Sequence, residues 1–446
     1  MNSELVTIEA IAAPTRNAIV GGPFGSDLVS KDYAPTGVPV IRGQNMGSKW
    51  VGGEFAFVSE EKANELESNK ARPGDLVFTQ RGTLGQVAIV PSAPYPEYIV
   101  SQSQMKLTPD LAKADINYLY YVFCSSEQKE YIRNAAIQTG VPHTNLGILK
   151  KTPIVLPPLS VQREIAGVLG CLDDRISHLR ETNTTLEAIA QALFKSWFVD
   201  FEPVRAKQEG RPTEGVDDTT AALFPGELVE SELGLVPKGW TVQRLADITE
   251  RITKGTTPTT LKRPFVEAGI NFVKAESMSN DGSFLPKKFA FIDEETHELL
   301  KRSQLATGDV LISIAGTIGR TAIVTSDVLP ANTNQAVALV RPRQDVFPSG
   351  LVWRFLSSIE SKRTMSTRVV QAVQANLSLG TLSGMKLVVP PPGTVDVLYQ
   401  SVFAPIDVAK NINIQRIHTL SNLRDTLLSR LIPGQLRSPD AKALVA

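Results

Sequence analysis

The stretch Gly74-Asp75-Leu76-Val77 occurs a second time in the chain, as Gly308-Asp309-Val310-Leu311, at an offset of 234 residues (308 − 74 = 234). The same offset carries Arg81-Gly82-Thr83-Leu84-Gly85 onto Ala315-Gly316-Thr317-Ile318-Gly319. Solenoid repeats have periods of about 20–50 residues, so a repeat of this length indicates a duplicated domain. The chain is therefore predicted to perform the same function twice, at two separate places.

Each copy begins with a globular part, over residues 1–158 and 236–392, that is rich in glycine, proline and β-branched residues. Short apolar runs such as Val38-Pro39-Val40-Ile41 and Ile270-Asn271-Phe272-Val273 predict strands of a mixed sheet. We predict intervening helices over Asn117–Asn134 and Gly350–Thr367. Each globular part ends at consecutive prolines, which stop a strand because proline has no N–H to donate.

The second part of each copy predicts a long helix with a heptad seam. Apolar residues between Ser160 and Phe198 recur three and four positions apart, and a similar stripe runs from Val395 to Ile432. Asn183 and Asn413 lie on these seams, where we expect them to fix register rather than to bind a ligand. Pro405 predicts a helix start or a kink.

These patterns predict an α+β fold. Two similar mixed-sheet domains are separated by two long antiparallel helices, which form a coiled-coil spacer and complete a pseudo-two-fold internal repeat. The predicted boundaries are 1–158 for the first domain, 159–205 for the first helical spacer, 206–235 for an acidic linker, 236–392 for the second domain, 393–436 for the second spacer and 437–446 for the tail.

Composition excludes several classes of protein. The only cysteines are Cys124 and Cys171, which rules out a disulfide framework or a cysteine zinc site. No apolar run reaches the ~20 residues of a membrane span, and Met1–Leu5 lacks the pattern of a signal peptide, so we expect a cytoplasmic protein. The 46 basic residues balance 46 acidic residues, which argues against a nucleic-acid binder. However, basic residues outnumber acidic ones between 301 and 368, so a neutral total can hide a basic face.

Motifs follow a set order along each copy. The first copy has Gly22-Pro23-Phe24-Gly25-Ser26, Gly37-Val38-Pro39-Val40-Ile41-Arg42 and the entry to the first helix at 156–165. The second copy has Pro237-Lys238-Gly239-Trp240 and Asn332-Thr333-Asn334-Gln335. In this order the chain resembles the specificity subunit of type I restriction–modification systems over nearly its whole length. The second copy departs from the pattern at Gly255-Thr256-Thr257-Pro258 and at Thr394-Val395-Asp396.

The resemblance implies that each domain binds one half of a split site in double-stranded DNA and that the helices set the gap. Separate modification subunits would dock on the helical spacers and methylate adenine N6 with S-adenosylmethionine. A restriction subunit, a translocase and nuclease, would complete the complex with its ATP and Mg²⁺. The chain itself is then expected to be non-catalytic, without a cofactor or a metal.

Candidate DNA-contacting residues lie at strand ends and in polar loops. Arginine, glutamine and asparagine can read guanine and adenine edges, and glycine-containing loops let backbone N–H groups approach phosphates. The alternatives are a solvated strand end and a tight turn with positive φ. In the first copy the candidates are Ser26, Arg42, Gln44, Asn45, Gln80, Arg81, Thr83, Thr139 and His143. In the second copy they are Lys254, Thr256, Lys274, Glu276, Thr317, Arg320, Asn334, Gln371 and Gln374.

Catalytic motifs are not found. Pro157-Pro158 and Pro390-Pro391 lack the preceding Asn or Asp that an amino-methyltransferase needs, and no phosphate-binding loop occurs. Pro109-Asp110 followed by Glu127-Gln128-Lys129 has the letters of a metal-dependent nuclease. Glu127 falls in a predicted helix, and we expect no counterpart of it in the second copy.

Two other functions remain open from the sequence. A stand-alone DNA-binding regulator would use the same domains without methylase partners, and co-purification with such a partner would exclude it. A coiled-coil scaffold without DNA would fit the neutral charge, and a steep salt dependence of DNA affinity would exclude that function.

Overall fold

The computed structural model of the chain describes residues 3–138, 142–213, 215–370 and 376–445. The chain divides into two compact units. Unit 1 contains residues 1–179 and 415–446, and unit 2 contains residues 180–414. Each unit holds one globular copy together with part of each long helix.

Unit 1 contains the first mixed-sheet domain. Its strands are β1 (Glu4–Thr7), β2 (Ile19–Gly21), β3 (Tyr33–Ala34), β4 (Val38–Ile41), β5 (Ala56–Val58), β6 (Lys70–Ala71), β7 (Leu76–Thr79), β8 (Val87–Ile89), β9 (Tyr98–Val100), β10 (Gln104–Leu107) and β11 (Pro153–Leu156). Its helices are α1 (Glu60–Glu65), α2 (Ile116–Cys124), α3 (Ser126–Ala135), α4 (Leu146–Lys151) and the first part of α5 (Leu159–Phe198).

Unit 2 follows along α5. It contains α6 (Glu202–Gln208), α7 (Asp218–Ala222), β12 (Leu228–Ser231), β13 (Gly234–Pro237), β14 (Thr241–Arg244), β15 (Thr249–Lys254), β16 (Ile270–Val273), β17 (Ala290–Ile292), α8 (Glu294–Leu299), β18 (Val310–Ser313), β19 (Thr321–Ile323), β20 (Ala331–Thr333), β21 (Val337–Pro342), α9 (Ser349–Ser357), α10 (Ile359–Val370), α11 (Leu379–Ser383), β22 (Lys386–Val389), α12 (Thr394–Leu398) and the start of α13 (Ala404–Leu431). The last helix, α14 (Ser438–Val445), belongs to unit 1.

The two domains share one topology. In unit 1 an antiparallel sheet has the order β2-β10-β7-β8, and in unit 2 the corresponding order is β15-β21-β18-β19. A second sheet contains the parallel pair β4–β9 in unit 1 and the parallel pair β16–β20 in unit 2. The strand pairs β1–β11 and β14–β22 also correspond. The duplication that the sequence predicted is confirmed, as is the mixed character of the sheets.

The helices predicted over Asn117–Asn134 and Gly350–Thr367 are each two helices. A serine with extended backbone separates them, Ser125 in unit 1 (φ −65°, ψ 152°) and Ser358 in unit 2 (φ −61°, ψ 154°). Each hydroxyl accepts a hydrogen bond from a backbone N–H in the first turn of the following helix, at 3.2 Å and 3.1 Å. Serine is a favoured N-cap because it satisfies one of these otherwise unpaired donors.

The long helices pack antiparallel within each unit. In unit 1, Arg424 of α13 donates to the Asp173 carboxylate of α5 at 2.7 Å. In unit 2, the Asn413 amide donates to the Asn183 side-chain oxygen at 2.9 Å, and Asn183 in turn donates to the Lys410 carbonyl at 3.2 Å. A paired amide on an apolar seam favours one register, as predicted for the two asparagines. Among the described residues, no helix is both long enough and apolar enough to cross a membrane.

The second long helix is not uniform near Pro405. A π-helical turn at Tyr399–Phe403 joins α12 to α13, and Pro405 is the second residue of α13. Proline has no N–H to donate to the preceding turn, and π-helical turns occur mostly as single insertions within α-helices. The irregularity that Pro405 predicted is therefore present just before that residue.

Residues 206–235, which we expected to form a linker, belong to the packed structure of unit 2. The stretch contains the end of α6, all of α7 and β12, and the start of β13, which pairs with β12. Phe224 is 2% exposed and contacts Trp197 and Trp240 edge to face or tilted, with ring centroids 5.4 Å and 5.9 Å apart. Aromatic burial of this kind holds a segment in the core, so the stretch is not an unstructured link.

Candidate nucleic-acid interface

The short segment 101–104 of unit 1 joins several loops at one end of the first domain. The Gly22 N–H donates to the Gln104 carbonyl at 2.9 Å, and the Gln80 N–H donates to the Ser103 carbonyl at 2.7 Å. The Gln102 side chain donates to the Leu28 carbonyl at 2.8 Å. These bonds bring together the loops that follow β2, β7 and β9.

Glycine is required where the first of these loops crosses the segment. A Cβ atom on Gly22 would lie 1.9 Å from the Ser101 carbonyl oxygen, and one on Gly255 would lie 1.6 Å from the Thr333 carbonyl oxygen. Contacts this short are not possible for any side chain, so both copies need glycine here for close backbone approach. The Gly22 motif and its altered form at Gly255 therefore have one structural cause.

The segment around His143 and Thr144 also bonds to the loop after β7. The Thr144 N–H donates to the Gln80 carbonyl at 2.9 Å, and Arg81 forms an isolated antiparallel bridge with His143. The matching bond in unit 2 runs from the Leu377 N–H to the Ile314 carbonyl, also at 2.9 Å. Thr144 and Leu377 therefore lie beside the glycine loops, whereas the candidates Thr139, Gln371 and Gln374 lie outside the described residues.

The second domain builds the same cluster around residues 333–336. The Gly255 N–H donates to the Asn334 carbonyl at 3.1 Å, and the Ile314 N–H donates to the Ala336 carbonyl at 2.8 Å. The Thr257 hydroxyl donates to the Gln335 side chain. Both domains therefore present a strand end, a glycine loop and two further loops together.

Arg42 is the candidate with the clearest potential for a ligand. Its side chain is half-buried, and its Nε is buried without a hydrogen-bond partner among the described residues. A buried unpaired donor costs about 1–3 kcal/mol unless water or a ligand satisfies it. Gln44 is exposed and donates to the Glu54 carbonyl at 3.1 Å.

Asn45 has an internal role. The side chain is 2% exposed. Its oxygen accepts from the Arg42 N–H at 3.0 Å, and its amide donates to the carbonyls of Gly52 and Glu54 at 3.0 Å and 2.9 Å. An asparagine with its donors and acceptor engaged in this way shapes the turn that presents Arg42 and Gln44. We therefore leave Asn45 out of the set that we propose to contact bases.

The other candidates of unit 1 lie on or near the cluster. Ser26 is exposed on the loop after β2 and donates to Asp27 at 3.3 Å. Gln80 is half-buried, whereas Arg81 and Thr83 are exposed on the glycine loop. His143 is bridged to this loop.

At the corresponding strand end of unit 2, Lys274 and Glu276 form an ion pair with each other. The Lys274 ammonium lies 2.8 Å from the Glu276 carboxylate. The hydrogen bond from Lys274 is the main cause that lowers the pKa of Glu276 below its ordinary value. The two strand ends therefore offer different chemistry: in one domain a guanidinium whose Nε has no partner among the described residues, and in the other a paired carboxylate.

The remaining candidates of unit 2 surround its cluster. Lys254 and Thr317 are exposed, and Thr256 is half-buried. Arg320 donates to the Asn280 side chain at 3.0 Å. The Asn334 side chain accepts from the Ala336 N–H at 3.1 Å and so shapes the central segment.

The sequence did not identify segment 101–104 as the centre of the first cluster. Asn334 was a candidate in the second copy, and the repeat offset of strands β9 and β20 (333 − 100 = 233) places Ser101 opposite it. Applying that offset to Asn332-Thr333-Asn334-Gln335 would have added Ser101 and Gln102.

The residues that match the nuclease pattern do not form a metal site among the described residues. Glu127 lies in α3, as predicted. The expectation that it has no counterpart is wrong, because α10 begins 233 residues after α3 (359 − 126 = 233) and carries Glu360 at the matching place. Within the described residues, no group of three or more histidine, cysteine, aspartate or glutamate side chains could hold a metal ion.

Comparison with known proteins identifies the family. The family model for the type I restriction modification DNA specificity domain matches residues 26–188 and 237–416. The HindI specificity subunit of Haemophilus influenzae is 24% identical, over 90% of this chain and 95% of that protein. The MjaIX specificity subunit of Methanocaldococcus jannaschii is 24% identical, over 94% of this chain and 91% of that protein. A crystal structure of the S subunit from M. genitalium covers 97% of this chain and 96% of that chain, with 16% identity and a TM-score of 0.47.

The chain belongs to the type I restriction modification DNA specificity family and carries two copies of its domain. Its function is that of a DNA specificity subunit, which acts in a complex with other subunits and with DNA. Family membership does not favour the regulator or the scaffold as alternatives.

Proposed function

We propose that each domain of the chain binds one half of a split double-stranded DNA site and that each half is read by that domain's loop cluster. The observation that supports this most directly is one loop architecture built twice with different exposed chemistry. Arg42 and Gln44 occupy the first strand end, and Lys274 and Glu276 occupy the second. The same backbone arrangement with different exposed side chains is suited to the recognition of two different DNA sequences.

The side chains differ in the bases that they can bind. Arginine donates two hydrogen bonds to guanine, and glutamine exchanges two with adenine. Glutamate accepts from the cytosine amino group, but Glu276 must first give up its contact with Lys274. In this proposal Lys274 is then free to contact a phosphate.

The rest of the proposed function concerns the partners. The chain supplies specificity without catalysis, and modification subunits dock on the helical spacers α5 and α13. Those subunits methylate adenine N6 with S-adenosylmethionine, and a restriction subunit uses ATP and Mg²⁺. The complex works in the cytoplasm, and the length of the two helices sets the gap between half-sites.

Replacing Arg42 tests the assignment of one half-site to one domain. Arg42→Ala removes a guanidinium with no internal partner among the described residues, so we expect the fold to persist and base discrimination at one half-site to fall by about 1–3 kcal/mol per lost bidentate contact. The measurement is selection of bound duplexes from a library randomised in both halves, with the chain in complex with its modification subunits.

Lys113→Ala is the matched control. Lys113 is exposed, belongs to the same domain and pairs with Asp110 near the entry to α5. The control removes one positive charge and should leave both selected half-sites unchanged. Equal loss of preference in both halves with Arg42→Ala would show that Arg42 is structural.

A further inference from the structure

A lysine occupies the same place in both domains. Lys129 is the fourth residue of α3, and Lys362 is the fourth residue of α10 (362 − 129 = 233). The candidate contact residues at the strand ends differ between the copies, as do Gln80 and Ile314 at the start of the glycine loops. The lysine is therefore a positive charge that the two copies share at this place.

Both lysines lie against the glycine loops. A Cβ atom on Gly85 would be 3.4 Å from the Lys129 Cγ, and a Cβ atom on Gly319 would be 3.9 Å from the Lys362 Cγ. These glycines also have positive φ, +85° and +88°. The absence of a side chain on the loop leaves room for the aliphatic stem of the lysine beside it.

The two ammonium groups have no hydrogen-bond or ion-pair partner in the part of the chain that the structure describes. Lys362 is exposed, whereas Lys129 is half-buried. The apolar stems could be replaced by any unbranched side chain. Packing thus accounts for the stem, whereas no hydrogen bond or ion pair among the described residues engages the charge.

Backbone donors in the adjacent loops are also available. The N–H groups of Gly82 and Thr83, and those of Gly316 and Thr317, have no acceptor among the described residues. Unpaired successive N–H groups in a turn attract anions. Each lysine therefore lies beside a loop that can itself approach a phosphate.

If the two domains read different DNA sequences, residues that are the same in both copies must have a different role from residues that differ between them. A side chain common to both copies carries no information that distinguishes one half-site from the other. Phosphates are present in every sequence, and contacts to them position a protein without specifying bases. A shared lysine whose ammonium has no partner among the described residues is suited to that task.

We propose that Lys129 and Lys362 each bind a DNA backbone phosphate beside the glycine loop and act as the sequence-independent anchor of their domain. This inference rests on the proposed function, because it assumes that the loop clusters face DNA. Glu127 and Glu360 do not oppose it, since residues two apart on a helix face different directions.

The test compares Lys129→Gln and Lys362→Gln with Lys129→Arg and Lys362→Arg in the full chain bound to its modification subunits. Glutamine keeps most of the stem and removes the charge, whereas arginine keeps the charge. DNA affinity is measured against salt for a specific duplex and for a duplex of scrambled sequence, and thermal unfolding checks the fold.

Affinity falls with salt, so the slope of log affinity against log salt is negative. Each glutamine variant should make this slope less steep by about 0.9 on both duplexes. The ratio of affinities at 50 mM and 200 mM salt then shrinks by about 3.5-fold per lysine. The arginine variants should retain the wild-type slope, and the preferred sequence should not change.

Two results would overturn the inference, and they can be told apart. An unchanged slope in stably folded glutamine variants, with wild-type binding intact, would contradict the phosphate anchor alone. A wild-type complex that binds both duplexes equally would contradict the proposed function as well.

Discussion

Asp75 and Asp309 show how a repeated motif can be structural. Asp75 is buried and accepts hydrogen bonds from the Arg72 N–H at 2.9 Å and the Thr108 hydroxyl at 2.6 Å, and it pairs with Lys106 at 3.2 Å. Asp309 repeats this arrangement with the Ala306 N–H and Arg341. Each carboxylate fixes the turn into a central strand, β7 or β18, which explains why both copies keep Gly-Asp.

Removing the Asp75 carboxylate should destabilise unit 1 strongly. Asp75→Ala leaves the Lys106 ammonium, whose side chain is 6% exposed, buried without an acidic partner. Breaking a buried pair in this way costs about 3–5 kcal/mol of unfolding free energy. Urea denaturation followed by circular dichroism measures the loss.

Asp309→Ala is the comparison for that prediction. The Arg341 side chain is 24% exposed, so water can partly solvate it after the change, and the loss should be smaller. A loss below about 1 kcal/mol for Asp75→Ala would contradict the structural role of the motif.

At the residue scale, residue type alone could not separate base contacts from turn-forming side chains. Arg42 and Asn45 are three positions apart in one polar turn, yet only Asn45 is fully hydrogen-bonded inside the protein. Asparagine side chains satisfy backbone groups in turns as readily as they bind bases. The distinction depends on the carbonyls of Gly52 and Glu54, which only the fold brings to Asn45.

At the scale of elements, α2 carries a group of tyrosines that anchors the first domain to α5. Tyr121 donates to the Asp173 carboxylate at 2.7 Å, and Tyr118 donates to the Val155 carbonyl at 2.7 Å. Burial is the main cause that raises the pKa values of Tyr118, Tyr120 and Tyr121 above the ordinary tyrosine value, and the nearby Asp173 adds to it for Tyr121. These phenols are held neutral within unit 1.

This predicts a loss of stability at alkaline pH. Because the folded pKa lies above the unfolded value of about 10, the buried phenols contribute stability that is complete below pH ~10 and is lost as the pH rises through the folded pKa. Tyr121→Phe should make the unfolding free energy fall less steeply above pH ~10. The measurement is urea denaturation across this range, together with tyrosinate absorbance.

Tyr131→Phe, which removes a side chain that is 38% exposed on α3, serves as the control and should retain the wild-type pH dependence. Ionisation of the α2 tyrosines well before any loss of circular dichroism would contradict the prediction.

The elements themselves were only partly predictable. The periods of the apolar residues placed the long helices and many of the strands, because these patterns depend on burial of one face. The break between α2 and α3 was missed, since Ser125 lies between two helix-forming stretches and serine is compatible with a helix interior. Its hydroxyl caps the second helix only because the chain turns there.

At the level of the whole chain, the repeat offset predicted the duplicated topology correctly. The acidic composition of residues 206–235 instead led to the prediction of a linker. In the structure, however, Phe224 is buried in the core of unit 2, and Val216, Leu223 and Leu228 pack against that core. A few apolar residues at wide spacing carry no period that would indicate packing. Zero net charge was equally uninformative, because binding depends on where charges lie.

If the two domains read two half-sites whose gap depends on the helices, longer helices should lengthen that gap. Seven residues inserted into both α5 and α13 preserve the heptad seam and add about 10.5 Å to each helix, which corresponds to about three base pairs at ~3.4 Å each. Insertion into one helix alone shifts its seam by one heptad relative to the other helix. This single insertion is the control that shows the effect of disturbing helix packing and assembly in general.

Genome-wide mapping of N6-methyladenine in matched cells tests this claim most directly. The cells keep the methylase gene and carry either the wild-type chain, no specificity gene, or the double insertion. We expect a split motif that vanishes on deletion and returns with the same two halves and a gap longer by about three base pairs in the insertion strain. A motif that persists without the gene, or a gap that stays the same with the insertion, would contradict it.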